Sequence, residues 1–192
     1  MAIIKDGATG FTAGVNSANQ LLTHAVTFSG SVDAASRGIA WNLNTGDMTI
    51  TADATLMYIK NTSKEEFFIE RLVVAMGDGI TYTDYPHVNL LKNPTGGDVI
   101  TDETDIDMNQ KRNFAFSDKF SGDVFKGKVG GTVTGGDGSI AQIMIDKNGS
   151  SIIPVNYILP EQASMVIDLT LNGSGSAEVY AAIVGYYHNH HS

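Results

Sequence analysis

Apolar positions in this chain recur at every second residue, in short bursts separated by glycine, asparagine and proline. Residues 21–28 place Leu22, His24, Val26 and Phe28 on one face of an extended strand and Leu21, Thr23, Ala25 and Thr27 on the other. Residues 39–43 and 48–51 are two short runs divided by Asn44, Thr45, Gly46 and Asp47, a turn signal that predicts a hairpin. Residues 54–60 and 66–76 follow, joined by five polar residues at hairpin spacing. The second of these runs, with Phe67, Phe68, Ile69, Leu72, Val73 and Val74, also permits a helix and is read as a strand. Residues 77–122 are broken by Pro86, Pro94, Gly96, Gly97 and a run of acids, which predicts long loops with short strands.

The last third is patterned most clearly. Residues 141–146 and 151–155 flank Asn148-Gly149, a strong hairpin signal. Met165, Ile167, Leu169 and Leu171 share a core face, with Asp168 and Thr170 on a wet one. Residues 178–188 are apolar on both faces, Val179, Ala181, Ile183 and Tyr187 against Tyr180, Ala182, Val184 and Tyr186, so this strand is central or lies in a subunit interface. Together these segments predict an all-β fold, an antiparallel β-sandwich or jelly roll over residues 21–192, with an irregular region at about 77–122. No fixed repeat argues for a propeller or solenoid. Residues 1–20 are small and polar with isolated Ile3, Ile4, Phe11 and Val15, which predicts an extended N-terminal arm whose four apolar side chains contact a partner.

Composition sharpens this picture. The 192 residues suit one domain, and 21 glycines fit a turn-rich β protein. Against 21 Asp+Glu stand only 12 Lys+Arg, a formal charge of −9, which argues against a nucleic-acid partner. The absence of cysteine excludes disulfides, a thiol nucleophile and cysteine-bound zinc. No apolar run approaches the roughly 18 residues of a membrane span, and the opening residues lack the basic flank of a signal peptide, so neither a membrane partner nor secretion is expected.

Several stretches come close to known chemistry. Gly122 to Lys128 has phosphate-loop spacing, but Val129 stands where a hydroxyl must hold magnesium and a glycine-rich segment follows where a helix is required. Asp102, Glu103, Asp105, Asp107 and Asn109 offer oxygen ligands for calcium, yet an EF-hand register fails at Gln110 and Phe116. His188, His190 and His191 cluster near the end of the chain and read as a solvated tail, while His24 and His87 have no sequence partner. No nucleophile elbow occurs. Glu103 and Asp105 are the only nominees for a carboxylate pair. The expectation is a protein that is not an enzyme, with no catalytic residue, cofactor or metal.

The first half of the chain resembles small virion structural proteins of tailed, particularly marine, bacteriophages. The resemblance rests on Ile4-Lys5-Asp6-Gly7, on Val15-Asn16-Ser17-Ala18-Asn19-Gln20-Leu21, on Ala40-Trp41-Asn42-Leu43-Asn44-Thr45-Gly46 and on residues 54–61, with Gly185-Tyr186-Tyr187 adding to it. It implies a capsid decoration, or cement, protein that binds the outer surface of the major capsid protein shell and stabilises it. A homotrimer assembled in the host cytoplasm and located on the virion surface is the corresponding expectation. The alternative is a glycan-binding, host-recognition module of a tail fibre or spike, which would use loop aromatics; Trp41, Tyr82 and Tyr85 are the candidates, with Trp41 read as core.

Overall fold

The computed structural model describes residues 3–5, 12–15, 21–22, 30–98, 104–107 and 110–188. In chain order the elements are β1 (Ile3–Lys5), β2 (Thr12–Val15), β3 (Leu21–Leu22), α1 (Gly30–Ser36), β4 (Ala40–Asn44), β5 (Met48–Ile50), β6 (Ala54–Asn61), β7 (Glu66–Met76), β8 (Ile80–Tyr82) and β9 (His87–Lys92). They continue as β10 (Thr104–Asp105), β11 (Gly122–Lys126), β12 (Gly138–Met144), β13 (Gly149–Leu159), β14 (Ser164–Thr170), β15 (Gly173–Gly175) and β16 (Ala177–His188).

Two antiparallel sheets face each other across one core. One has the order β13-β7-β16-β4, with β5 alongside β16 beyond the end of β4, and the other has the order β10-β11-β6-β14-β9-β12. Take β4 with β5 as the first long strand, then β6, β7, β9, β12, β13, β14 and β16. The first sheet then joins strands six, three, eight and one, and the second joins two, seven, four and five. That is jelly-roll connectivity, an all-β sandwich in which successive long strands alternate between sheets except for strands four and five, β9 and β12, which pair with each other. β8 and β15 form a separate two-stranded ribbon, and β1, β2 and β3 a three-stranded sheet.

This alternation corrects three hairpin readings. β6 and β7 lie in opposite sheets, as do β12 and β13, so the polar links 61–65 and 145–148 carry the chain across the sandwich. β4 and β5 do not pair either: both lie along β16, against residues 182–186 and 177–179. Thr45 bridges the break by donating its N–H to the Ala181 carbonyl at 2.9 Å and accepting the Ala181 N–H on its hydroxyl at 3.1 Å. Turn residues and period-2 alternation are the same whether a loop reverses within a sheet or crosses between two, because both strands then show an apolar face to one core.

Residues 66–76 are a strand, and the structure explains their helix-like spacing. Phe67 and Ile69 point inward, then Leu72, Val74 and Met76 do. The phase slips at Glu70, a bulge skipped by the pairing with β16 (Val184 opposite Arg71, Gly185 opposite Ile69) and with β13 (Pro154 opposite Arg71, Tyr157 opposite Ile69). At the bulge, a Cβ on Gly185 would stand 2.5 Å from the Phe68 carbonyl oxygen and 2.6 Å from Phe67 Cζ, so only glycine fits.

β16 is central. Its outer face, including the buried Ala182 and Val184, lies beneath the helix α1, which packs on β16 and β4. Its inner face is core, and on its outer face Ala182 and Val184 are buried while Tyr180 and Tyr186 are half-buried. α1 is absent from the sequence reading; its signals are Asp33 and Arg37 one turn apart, 3.4 Å in the structure, and Gly38, whose φ of +71° ends the helix. At the same end of the core Trp41, Phe67, Phe120 and Tyr187 pack edge to face or stacked, with centroids 4.9 to 6.5 Å apart.

Candidate functional site

Of the four residues assigned to partner contact, Ile3 and Ile4 lie on β1 opposite Gly14 and Ala13, and Val15 lies on β2 opposite Leu21. Phe11 lies outside the described residues. The segment thus contains a short antiparallel meander, and among the described residues it pairs with no strand of the sandwich.

The near phosphate loop is a sheet-edge device. β11 pairs with β6, and at Gly127 the chain passes so close to β6 that a Cβ would stand 1.9 Å from the Thr55 carbonyl oxygen; the Thr55 hydroxyl accepts the Lys128 N–H at 3.0 Å. Of the acidic stretch, Asp105 sits on β10, while Asp102, Glu103 and Asn109 lie outside the described residues, as do His24, His190 and His191. Among the described residues no group of three metal-ligating side chains comes together. His188 ends β16. His87 Nδ1 is buried without a hydrogen-bond partner among the described residues, and Nε2 lies 3.5 Å from the Asn172 amide.

The aromatic candidates separate. Trp41 is core, only 3% exposed. Tyr82 and Tyr85 are brought together, and the Lys147 ammonium stands over one face of each ring, 5.7 and 4.5 Å from their centroids. Asp168 is half-buried, and burial together with the nearby Asp53 carboxylate pushes its carboxyl up to about 6. Asp53 itself accepts the Leu171 N–H at 2.8 Å.

Two surface features stand out among the described residues. The first is the side of the sandwich where β12 and β13 are the edge strands of their sheets. Neither strand carries a charged residue, in a chain of net charge −9. Half of the large apolar side chains left exposed among the described residues lie here, namely Met144, Ile152, Ile158 and Ile140. Between the edges opens a cleft of about 250 Å³ lined by Ile140, Tyr157, Leu159, Pro160, Ala163 and Met165, with Lys92, Asn93 and Ser164 at its polar end. Pro154 and the bulge after it interrupt β13, which hinders a foreign strand from pairing along its whole length.

The second lies across the same sheet. Residues 110–112 run beside β4: Asn42 N–H donates to the Gln110 carbonyl at 2.8 Å and Arg112 N–H to the Ala40 carbonyl at 2.9 Å. The chain then turns through Asn113, Phe114, Ala115 and Phe116, closed by Phe116 N–H to the Asn113 carbonyl at 3.1 Å and Ala115 N–H to Asn113 Oδ1 at 3.0 Å. Lys111, its side chain 3% exposed, braces the turn. Its ammonium lies 4.6 Å from the Trp41 ring centroid, 3.0 Å from Asp118, and hydrogen-bonds the Gly38 carbonyl. Phe114, at the tip, is fully exposed. The sequence reading places residues 113–116 in its irregular region of long loops and does not single out this turn, whose one legible signal is the pair of cations immediately before it.

Comparison of the chain with family models, with curated proteins and with solved structures finds no match.

Proposed function

We propose that the chain is a non-enzymatic structural protein of a tailed-phage virion, a decoration protein that binds the outer surface of the major capsid protein shell and reinforces it. The resemblance of its first half supplies the class. The observation that supports the mechanism is the N-terminal sheet: among the described residues β1, β2 and β3 pair with one another and with no strand of the sandwich. In the order β1-β2-β3, the strands β1 and β3 each have one edge with no strand beside it among the described residues, and such an edge accepts a strand from a partner sheet.

Burying the side chains of Ile3, Ile4, Phe11 and Val15 in a shell contributes about 1.5 to 3 kcal/mol each. Ordering a segment of this length costs about 1 to 2 kcal/mol per residue. A single arm therefore holds weakly, and firm attachment needs added strand pairing and several arms acting together, which raises avidity by about 10² to 10⁴. A symmetric oligomer, as in the trimeric decoration proteins of the group it resembles, provides that multiplicity.

The test is co-sedimentation with undecorated capsid shells. The full chain is expected to pellet with the shells, and a variant lacking residues 1–20 to remain in the supernatant with its far-ultraviolet circular dichroism retained. A truncated protein that occupies shells at the full-length level would overturn the assignment of the arm, and failure of the full chain to bind shells would overturn the decoration reading itself.

A further inference from the structure

We propose that Asn148 is a site of self-modification: its side-chain amide is lost to attack by the Gly149 main-chain nitrogen, which slowly converts the folded protein to a form carrying aspartate or isoaspartate at this position. Asparagine followed by glycine is the pair in which this chemistry meets least hindrance, because glycine has no Cβ to obstruct the approach of its own nitrogen to the preceding side chain. The chain holds two such pairs, each continued by serine: Asn148-Gly149-Ser150 and Asn172-Gly173-Ser174. Matching local sequences give them similar intrinsic reactivity. The fold separates them.

Asn148 ends the link from β12 to β13, and both it and Gly149 are exposed. Among the described residues no hydrogen bond holds the Asn148 amide, so its side chain turns freely between rotamers. A Cβ on Gly149 would meet no atom within 4 Å, which leaves open space around the attacking nitrogen. Asn172 is tied down instead. Its amide donates to the Tyr85 carbonyl at 2.8 Å, and its own carbonyl accepts the N–H groups of Thr83 at 2.9 Å and Asp84 at 3.3 Å. Gly173 pairs with Tyr82, and a Cβ there would stand 2.7 Å from Ile80 Cγ2, so the ring that the reaction requires has no room to form without moving β8.

In the first step the Gly149 nitrogen bonds to Asn148 Cγ, the Cγ–Nδ2 bond breaks, and ammonia leaves with the proton that the Gly149 nitrogen gives up. The product is a five-membered succinimide. Water, the sole co-reactant, then opens it. Addition at Cγ restores the ordinary linkage as aspartate, and addition at the main-chain carbonyl gives isoaspartate, in which the backbone runs through Cβ and Cγ. Either product adds a carboxylate next to Lys147, whose ammonium stands 4.5 Å from the Tyr85 ring centroid, in a chain already of charge −9. Isoaspartate also lengthens by one methylene the loop that the Asp146 N–H closes on Ser151 Oγ at 2.9 Å. The change is a property of the isolated chain and does not depend on attachment to a shell.

The test is peptide mass spectrometry of the full chain aged at neutral and at mildly alkaline pH in heavy-oxygen water. The Asn148 peptide is expected to convert, faster at the higher pH, to two products of equal mass that separate on the column, each carrying one solvent oxygen. The Asn172 peptide is expected to lag by about tenfold or more, since the ring there forms only after hydrogen bonds are broken. In urea the two rates should converge, because the local sequences match. Asn148 left unchanged while the urea-unfolded chain converts, equal rates at the two sites in the folded protein, or aspartate as the sole product would overturn the proposal.

Discussion

Asp168 and Asn61 show how single polar side chains are handled by this sandwich. Asp168 has a folded pKa of about 6 against an ordinary 3.8, burial being the larger cause and Asp53 the second. The folded state therefore binds its proton more readily than the unfolded chain. The resulting penalty is absent below about pH 4 and grows as pH rises towards 6, so stability falls across that window. Asp168→Asn is expected to raise stability at pH 7 by ~1 kcal/mol, discounted for the carboxyl's remaining solvation, and to make no difference near pH 4. Urea titrations at the two pH values check this, and a variant less stable at pH 7 would contradict it. Asn61 is fully buried and satisfied: its amide donates to the carbonyls of Glu65 at 2.8 Å and Leu159 at 2.9 Å, and its Oδ1 accepts the Ser63 N–H at 2.9 Å. It ties the crossing from β6 to β7 to the end of β13. Asn61→Ala leaves those groups unpaired in the core, and a loss of about 2 to 4 kcal/mol is expected by chemical denaturation; a loss within error would show that water replaces the amide.

At the scale of elements, the sequence is legible wherever alternation is strict and misleading wherever a bulge or crossing intervenes. The face of β14 carrying Met165, Ile167 and Leu169 is core as the pattern says, yet Val166 on the reverse is also buried, in a second small cluster with Tyr58 and Phe125. No local pattern reveals that cluster, because residues far along the chain supply it. The bulge at Glu70 disguised a strand as a possible helix, and the sheet crossings after β6 and β12 were disguised as hairpins. Asn156 lies at the level of that bulge with φ +53°, a left-handed conformation that asparagine tolerates and a β-branched residue does not. Asn156→Gly should leave thermal stability nearly unchanged, whereas Asn156→Val should cost ~1 to 3 kcal/mol. Equal melting temperatures for the two variants would show that the bulge is not needed in this form.

For the whole molecule, the all-β sandwich class follows from physics visible in the chain, many short strands with turn residues between them and one core, whereas the connectivity does not, because the links after β4, β6 and β12 read as hairpins. The surface, the part proposed to meet a partner included, was only half legible in the sequence. The N-terminal apolar residues stand out because they sit among small polar neighbours. Phe114 and the β12/β13 cleft do not, since Phe114 falls in the irregular region and Ile-Ile looks like core until the edges of the sheets are known. The proposed function makes this body a surface-mounted reinforcement held to a shell by its N-terminal strands. Imaging of intact particles that carry the chain tests this most directly. The account predicts density for the sandwich repeated over the outer face of the shell, in step with the capsid lattice; density confined to the tail tip, with a bare shell, would contradict it.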